Sequence, residues 1–284
     1  MRVNRRVFCN VLRMEHAVIP HQPLDRDIPA ARPRPAQPKD GLAWVTGASS
    51  GIGAALVRRL HADGWQVVAS SRFLGDEAIQ LPSSVLRVPL DVTDRPAVGD
   101  AVARIEADRG PIALAVLNAG VYEPVAAPAF DAGSLSRMVA VNLQGCGNVL
   151  EALLPQMALR RAGQVALMAS LAGYVGLPRA SAYGATKAAL INMGESLRLE
   201  MAPHGVLVQI ICPGFVRTPA TSVNEFAMPF LMDPDDAAHA IARGLGKPRF
   251  EIAFPAVFAA YFTLLRALPY GVFFPLARWL TRTR

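Results

Sequence analysis

Tyr183 and Lys187 stand four residues apart in the run Ala182-Tyr183-Gly184-Ala185-Thr186-Lys187. On a helix that spacing puts both side chains on one face. A phenol of pKa about 10 is a poor base near neutral pH. An ammonium beside it favours the phenolate and lowers that value. The tyrosine could then exchange a proton with a substrate oxygen. Lys187 is one of three lysines set against 26 arginines, and the only one between residues 41 and 246. A compact ammonium on a flexible stem differs chemically from a guanidinium, so its placement here points to chemistry. The bland alternative is a buried tyrosine next to a solvated lysine.

A second constellation makes that alternative less economical. Thr46-Gly47-Ala48-Ser49-Ser50-Gly51-Ile52-Gly53 follows an apolar run and opens a helical pattern. Glycines let a backbone turn tightly and approach a pyrophosphate. A helix N-terminus supplies unpaired N–H groups and partial positive charge. About 20 residues past the glycines, a carboxylate would normally hold a ribose 2′-hydroxyl. Here Ser71 and Arg72 occupy that place. A hydroxyl and a guanidinium suit a 2′-phosphate, so NADP(H) is expected in preference to NAD(H).

These groups need a scaffold. Short β-type runs alternate with helical stretches from Leu42 onward. The expected strands are Leu42–Thr46, Gln66–Ser70, Val85–Pro89, Ile112–Leu117, Gln164–Ala169, Val206–Ile211 and Phe250–Phe254. Helices are expected over Ile52–Asp63, Arg95–Asp108, Ser134–Arg160, Ala182–Met201 and Pro234–Gly244. Continuous apolar strands separated by helices imply a parallel sheet covered on both faces. The order suits an α/β doubly wound sheet of about seven strands.

The 284 residues are 52% hydrophobic and 18% charged, which supports a sizeable core and excludes global disorder. The net charge of +7 sits at the ends: residues 1–40 carry +4 and 247–284 carry +5, leaving the centre at −2. A nucleic-acid partner would want a basic stripe on a folded surface, and none is expected. Cys9, Cys146 and Cys212, with the scattered histidines, form no disulfide framework or metal ligand set. A reducing, cytoplasmic setting fits.

Residues 1–40 form a basic, Pro-rich extension, expected to be disordered and excluded from the fold. It lacks a continuous apolar segment, so it does not read as a secretory signal. A transit-like peptide and an over-long start both remain open. Residues 41–246 should form the dinucleotide-binding and catalytic domain. Residues 247–284 contribute the last strand and an aromatic tail holding nine of the chain's 20 aromatics. Pro255, Pro269 and Pro275 forbid one long spanning helix. Short helices lying on the domain are expected, as a substrate lid, an interface or a membrane-surface contact through 252–284.

The sequence resembles the classical short-chain dehydrogenase/reductase family, in its bacterial form with a hydrophobic C-terminal extension. The glycine turn matches that family's TGxxxGxG, and Tyr183 with Lys187 its YxxxK. Ser170 precedes Tyr183 as the family's catalytic serine does. Asn118-Ala119-Gly120 matches NAG, and Asn142 the asparagine that completes a catalytic tetrad. Asp91-Val92 matches the border of an adenine pocket. Pro213-Gly214-Phe215-Val216-Arg217-Thr218 matches the segment against nicotinamide. The match spans about residues 42–246.

The resemblance implies a Rossmann-type fold and a hydride transfer between NADP(H) and a carbonyl or alcohol. Tyr183 would exchange the proton and Ser170 would hold the substrate oxygen. Lys187 would lower the Tyr183 pKa and hold the nicotinamide ribose, and Asn142 would anchor a relay water. Gly47, Ser49, Ser50, Gly51, Ile52 and Gly53 would cradle the phosphates. The Met- and Phe-rich stretch Ala220–Asp233 would close over the substrate, with Phe226, Met228, Phe230, Leu231 and Met232 favouring a lipophilic compound; core packing is an equal alternative there. A homo-oligomer, dimer or tetramer, is expected. The competing class is a non-catalytic dinucleotide-binding scaffold or sensor.

Overall fold

The computed structural model describes residues 32–74 and 80–281. Most of the expected N-terminal extension, residues 1–31, lies outside the described residues, as do Arg282 and Arg284. Seven parallel strands form a single sheet: β1 (Leu42–Thr46), β2 (Val67–Ser71), β3 (Leu86–Pro89), β4 (Ile112–Leu117), β5 (Gly163–Met168), β6 (Val206–Pro213) and β7 (Glu251–Phe254). Their spatial order is β3-β2-β1-β4-β5-β6-β7. The chain therefore winds outward from β1 in one direction and from β4 in the other. The crevice between β1 and β4 is the reversal point where open α/β sheets bind ligands.

Every residue of β1, β4 and β6 is buried, as expected for strands covered on both faces. One face packs against α1 (Gly51–Ala62) and α6 (Pro234–Leu245), through Leu56, Leu60, Ala238 and Ile241. The opposite face packs against α2 (Arg95–Arg109), α4 (Gly145–Leu159) and α5 (Ser181–Met201), through Val98, Ile105, Leu153, Met157 and Leu190. Asp94 caps α2 by accepting a hydrogen bond from the Ala97 amide at 3.0 Å.

The expected single helix Ser134–Arg160 is divided. A short α3 (Ala132–Met138) leads into a π-helical turn, Val139–Gln144, and then into α4. A π-turn inserts a residue into the helical repeat and rotates the downstream turns. Apolar spacing along the sequence does not register such a step. Behind it Gly145 abuts Val92, whose Cγ2 would be 2.6 Å from a Cβ at that position.

The described chain begins inside the expected extension. Residues 34–40 lie on the domain: the Ala36 amide donates to Gln164 Oε1 at 2.7 Å, and Arg34 pairs with Asp40 at 2.7 Å. After β7 the tail folds as two helices, α7 (Ala256–Ala267) and α8 (Tyr270–Thr281), broken at Leu268-Pro269. Among the described residues no helix is long and apolar enough to cross a membrane.

Candidate active site

The chemistry-bearing residues gather at the C-terminal ends of the strands. Ser49–Gly53 follow β1, Ser71 ends β2, Asn118 follows β4, Ser170 follows β5 and Pro213 ends β6. All of them line one cavity of about 880 Å³. Its lining includes the glycine turn and an aromatic cluster, Phe215, Phe226, Phe258 and Phe262, whose rings contact one another.

The glycine turn is held from below. Asn118 Nδ2 donates to the carbonyls of Thr46 and Gly47 at 3.0 and 2.9 Å. Thr46 Oγ1 accepts from the amides of Asn118 and Ala119, both at 3.1 Å. A Cβ at Gly53 would sit 2.1 Å from the Gly47 carbonyl oxygen, so only glycine permits this closure. Gly51 takes φ +52° and presses on Thr218, whose Cγ2 would be 2.8 Å from an added Cβ. The segment after β6 thus lies directly over the turn. A bare-backbone cradle at a helix N-terminus, in a cavity of this size, fits a dinucleotide pyrophosphate.

Beside the cradle, Ser71 Oγ donates to Ser49 Oγ at 2.9 Å, and Arg72 is exposed at the rim. Asp91 accepts from the Thr93 amide and hydroxyl at 2.9 and 2.8 Å. These bonds, the Thr93 amide foremost, hold its carboxyl below the usual range despite partial burial. Val92, Ala119, Gly120, Gly214 and Val216 complete the walls.

Tyr183 and Lys187 lie on the first two turns of α5. The partly buried Tyr183 ring packs edge-on against Tyr122, with centroids 4.9 Å apart. Lys187 is 3% exposed; its Nζ donates to the Met168 carbonyl at 2.6 Å and lies 5.5 Å from the Tyr183 ring centroid. Ser170 Oγ accepts from the Ala172 amide at 3.1 Å and donates to the Pro213 carbonyl at 3.4 Å, and its hydroxyl favours the ionised form of Tyr183.

The electrostatics depart from the expected lowering of the Tyr183 pKa by Lys187. Burial pushes the phenol up to about 12, outweighing the opposing influence of Ser170. Burial also pulls Lys187 down to about 8. Each charged form is disfavoured by the loss of water, and the lysine is turned toward a backbone carbonyl. Across the neutral range Tyr183 is therefore a neutral phenol, the form that can give a proton to an oxygen.

Asn142 does not reach the cavity wall. It is 1% exposed, behind Gly120. Its Oδ1 accepts from the Val121 amide at 2.7 Å, and its Nδ2 donates to the Val121 carbonyl and Thr186 Oγ1 at 3.0 and 3.1 Å. The π-turn aims this side chain so that it ties the loop after β4 to α5, one residue from Lys187.

Several cavity residues carry little or no signal in the sequence. Tyr122 directly follows Asn118-Ala119-Gly120-Val121, and that adjacency was the available sign. Thr221 folds the segment after β6 by donating to the Val216 carbonyl at 2.6 Å; nothing in its sequence context marks it. Of the stretch Ala220–Asp233, Phe226 lines the cavity. Phe230 packs on Phe258 at 5.5 Å, and Met232 bridges to Val216 and packs into the core. The stretch thus divides between cavity lining at Phe226 and core packing at Met232.

The chain matches the family model described as short chain dehydrogenase over residues 42–227. It is 37% identical over 242 residues to an uncharacterized oxidoreductase of Myxococcus xanthus, covering 83% of this chain and 96% of that protein. It is 32% identical over 210 residues to the oxidoreductase UcpA of Escherichia coli, covering 72% and 79%. A crystal structure of a short-chain dehydrogenase from Streptomyces avermitilis superposes with a TM-score of 0.69 at 28% identity, covering 84% of this chain and 97% of that one.

Proposed function

The chain belongs to the short-chain dehydrogenase family, and on that premise we propose that it is an NADP(H)-dependent oxidoreductase that reduces an apolar ketone or aldehyde. One observation carries the reading. Ser170, Tyr183 and Lys187 line one cavity together with the glycine turn and with Phe215, Phe226, Phe258 and Phe262. When bound, the nicotinamide supplies the hydride; the protein supplies position and electrostatics. Tyr183 gives its phenolic proton to the substrate oxygen, and Ser170 holds that oxygen by a hydrogen bond. Lys187 places positive charge behind Tyr183 and, with its Nζ close to Gly120, would be the residue to hold the nicotinamide ribose. Asn142 positions this group rather than touching substrate. Phe215, Phe258 and Phe262 exclude water and favour a lipophilic partner. A scaffold or sensor would need only the glycine turn, so the buried lysine and its neighbours argue against that class. We take the enzyme as a cytoplasmic homo-oligomer, touching a membrane at most through residues 252–284.

Cofactor choice tests the reading. Ser49, Ser71 and Arg72 at the cradle rim support a 2′-phosphate. Arg72→Ala is expected to weaken NADPH by roughly 10- to 100-fold, the worth of a charged hydrogen bond, with NADH nearly unchanged. Titrations of both cofactors, run with a screen of apolar ketones, decide it. Equal loss for both makes Arg72 structural, and turnover confined to NADH removes the NADP assignment.

The pH profile tests the proton donor. Below about pH 8 both Lys187 and Tyr183 carry their protons. The kcat/KM for reduction is therefore expected to stay flat through neutrality and to fall as Lys187 discharges above that value. Alcohol oxidation needs the phenolate and should rise with pH instead. A reduction profile that climbs with pH contradicts an acid role for Tyr183.

A further inference from the structure

We propose that Tyr174 is a positioning residue for the chemical step, and that through it the last strand and the first tail helix hold Ser170 in place. The inference rests on the proposed role of Ser170 as the group that holds the substrate oxygen. Ser170 leads a single 3-10 turn, Leu171–Gly173, and Tyr174 follows it directly. The turn is tightly wound. The Gly173 amide donates to the Ser170 carbonyl at 2.9 Å, and the Tyr174 amide to the Leu171 carbonyl at 3.0 Å. A displacement of Tyr174 is therefore passed back along the turn to Ser170.

Two kinds of contact fix this turn. Its backbone is pressed against α5: a Cβ at Gly173 would lie 2.7 Å from the Lys187 carbonyl carbon, and one at Gly184 would lie 2.9 Å from the Ala172 carbonyl oxygen. The side chain of Tyr174 supplies the other contact. It is 8% exposed, in the core face that also holds Cys212, Phe258 and Phe262. Its hydroxyl donates to the carboxylate of Glu251, the exposed first residue of β7. Arg266, in the last turn of α7, lies over the same ring, 5.8 Å from its centroid, and pairs with Glu195 of α5 at 3.9 Å.

A phenylalanine would fill the same volume. What the hydroxyl adds is direction. A hydrogen bond to an ionised acceptor is short and strong, whereas apolar burial is non-directional. Burial foremost raises the Tyr174 pKa, so the phenol stays a donor. In the sheet β6 separates β5 from β7, so this bond bridges over β6 from the turn that follows β5. The same α7 also supplies Phe258 and Phe262 to the cavity wall. The helix that lines the cavity thus covers the ring that steadies Ser170. Such steadying matters on a small scale, because a misplacement of about 1 Å can cost about 100-fold in rate.

The test uses the full chain with NADPH and benzylacetone, an apolar ketone. Tyr174→Phe and Glu251→Leu are each expected to lower kcat roughly tenfold and to leave KM and NADPH affinity within about twofold. Glu251→Gln keeps a carbonyl oxygen as acceptor and should restore most of the kcat lost in Glu251→Leu. In a Ser170→Ala background Tyr174→Phe should cost nothing further, because both act on one contact. Amide hydrogen exchange should quicken at residues 171–174 and stay unchanged in β6. Should Tyr174→Phe fold poorly, the two Glu251 variants carry the test, since that side chain is exposed. A full, additive loss in the Ser170→Ala background assigns Tyr174 to stability alone and overturns the proposal, as does unchanged exchange in the turn. An impaired Ser170→Ala beside unimpaired Tyr174→Phe and Glu251→Leu also overturns it, and leaves the proposed function standing. An unimpaired Ser170→Ala, or a parent chain that reduces no apolar ketone, overturns both.

Discussion

Tyr183→Phe is expected to lower turnover at least about 100-fold, the smaller end of what a positioned acid or base contributes, with cofactor affinity nearly intact. The substitution keeps the ring and its edge-on contact with Tyr122 at 4.9 Å. It removes only the phenolic hydroxyl, whose ionisation Ser170 favours. Burial pushes that hydroxyl's pKa up to about 12, which makes it an acid poised for an alkoxide formed by hydride addition. Single-turnover reduction with saturating NADPH measures the chemical step, and a denaturant melt of the same variant shows whether the fold is kept. A variant within a few-fold of the parent rate, and equally stable, sinks the assignment of Tyr183 as proton donor.

The second large effect is expected at Gly53. Alanine there would place a methyl 2.1 Å from the Gly47 carbonyl oxygen and 2.6 Å from Asn118 Nδ2. Neither neighbour can withdraw cheaply. The carbonyl is part of the turn's backbone, and the amide is fixed by its bonds to Thr46 and Gly47. Overpacking in such a place costs about 1–3 kcal/mol, and the displaced turn no longer offers its amides in one direction. Gly53→Ala should therefore lose dinucleotide binding below detection and lower the unfolding midpoint. The control is Gly64→Ala, outside the cavity, where nothing lies within 4 Å of an added Cβ. Its cost should be confined to the strain of φ +88° and leave binding intact. Normal cofactor affinity in Gly53→Ala would mean that the cradle binds something other than a pyrophosphate.

The strands and the helix carrying Tyr183 were legible because their signals are local. β1, β4 and β6 are unbroken apolar runs, and the Tyr183–Lys187 spacing is one helical turn whatever surrounds it. The glycine turn was legible for the same reason, since its requirement is a backbone one that no other residue type meets. At the end of β2, Ser71 and Arg72 were readable as an absence of carboxylate.

What local pattern could not carry was decided by packing between distant segments. Ser134–Arg160 reads as one helix, yet a π-turn at Val139–Gln144 rotates Asn142 away from the cavity and onto Val121 and Thr186. The apolar stretch after Pro219 offered core and lid equally. Only contact with Phe215 and Phe258 separates Phe226 and Phe230 from the core-packed Met232. The protonation of the site shows the division most clearly. Residue spacing alone establishes that a phenol and an ammonium share one face of a helix, and from that pairing the phenol should be the more acidic for it. The folded chain surrounds both with β5, the loop after β4 and the segment after β6, and gives the ammonium the Met168 carbonyl. A pairwise attraction can be read from spacing, whereas the desolvation that opposes it is a sum over every segment that displaces water, and most of those segments lie far away in the chain.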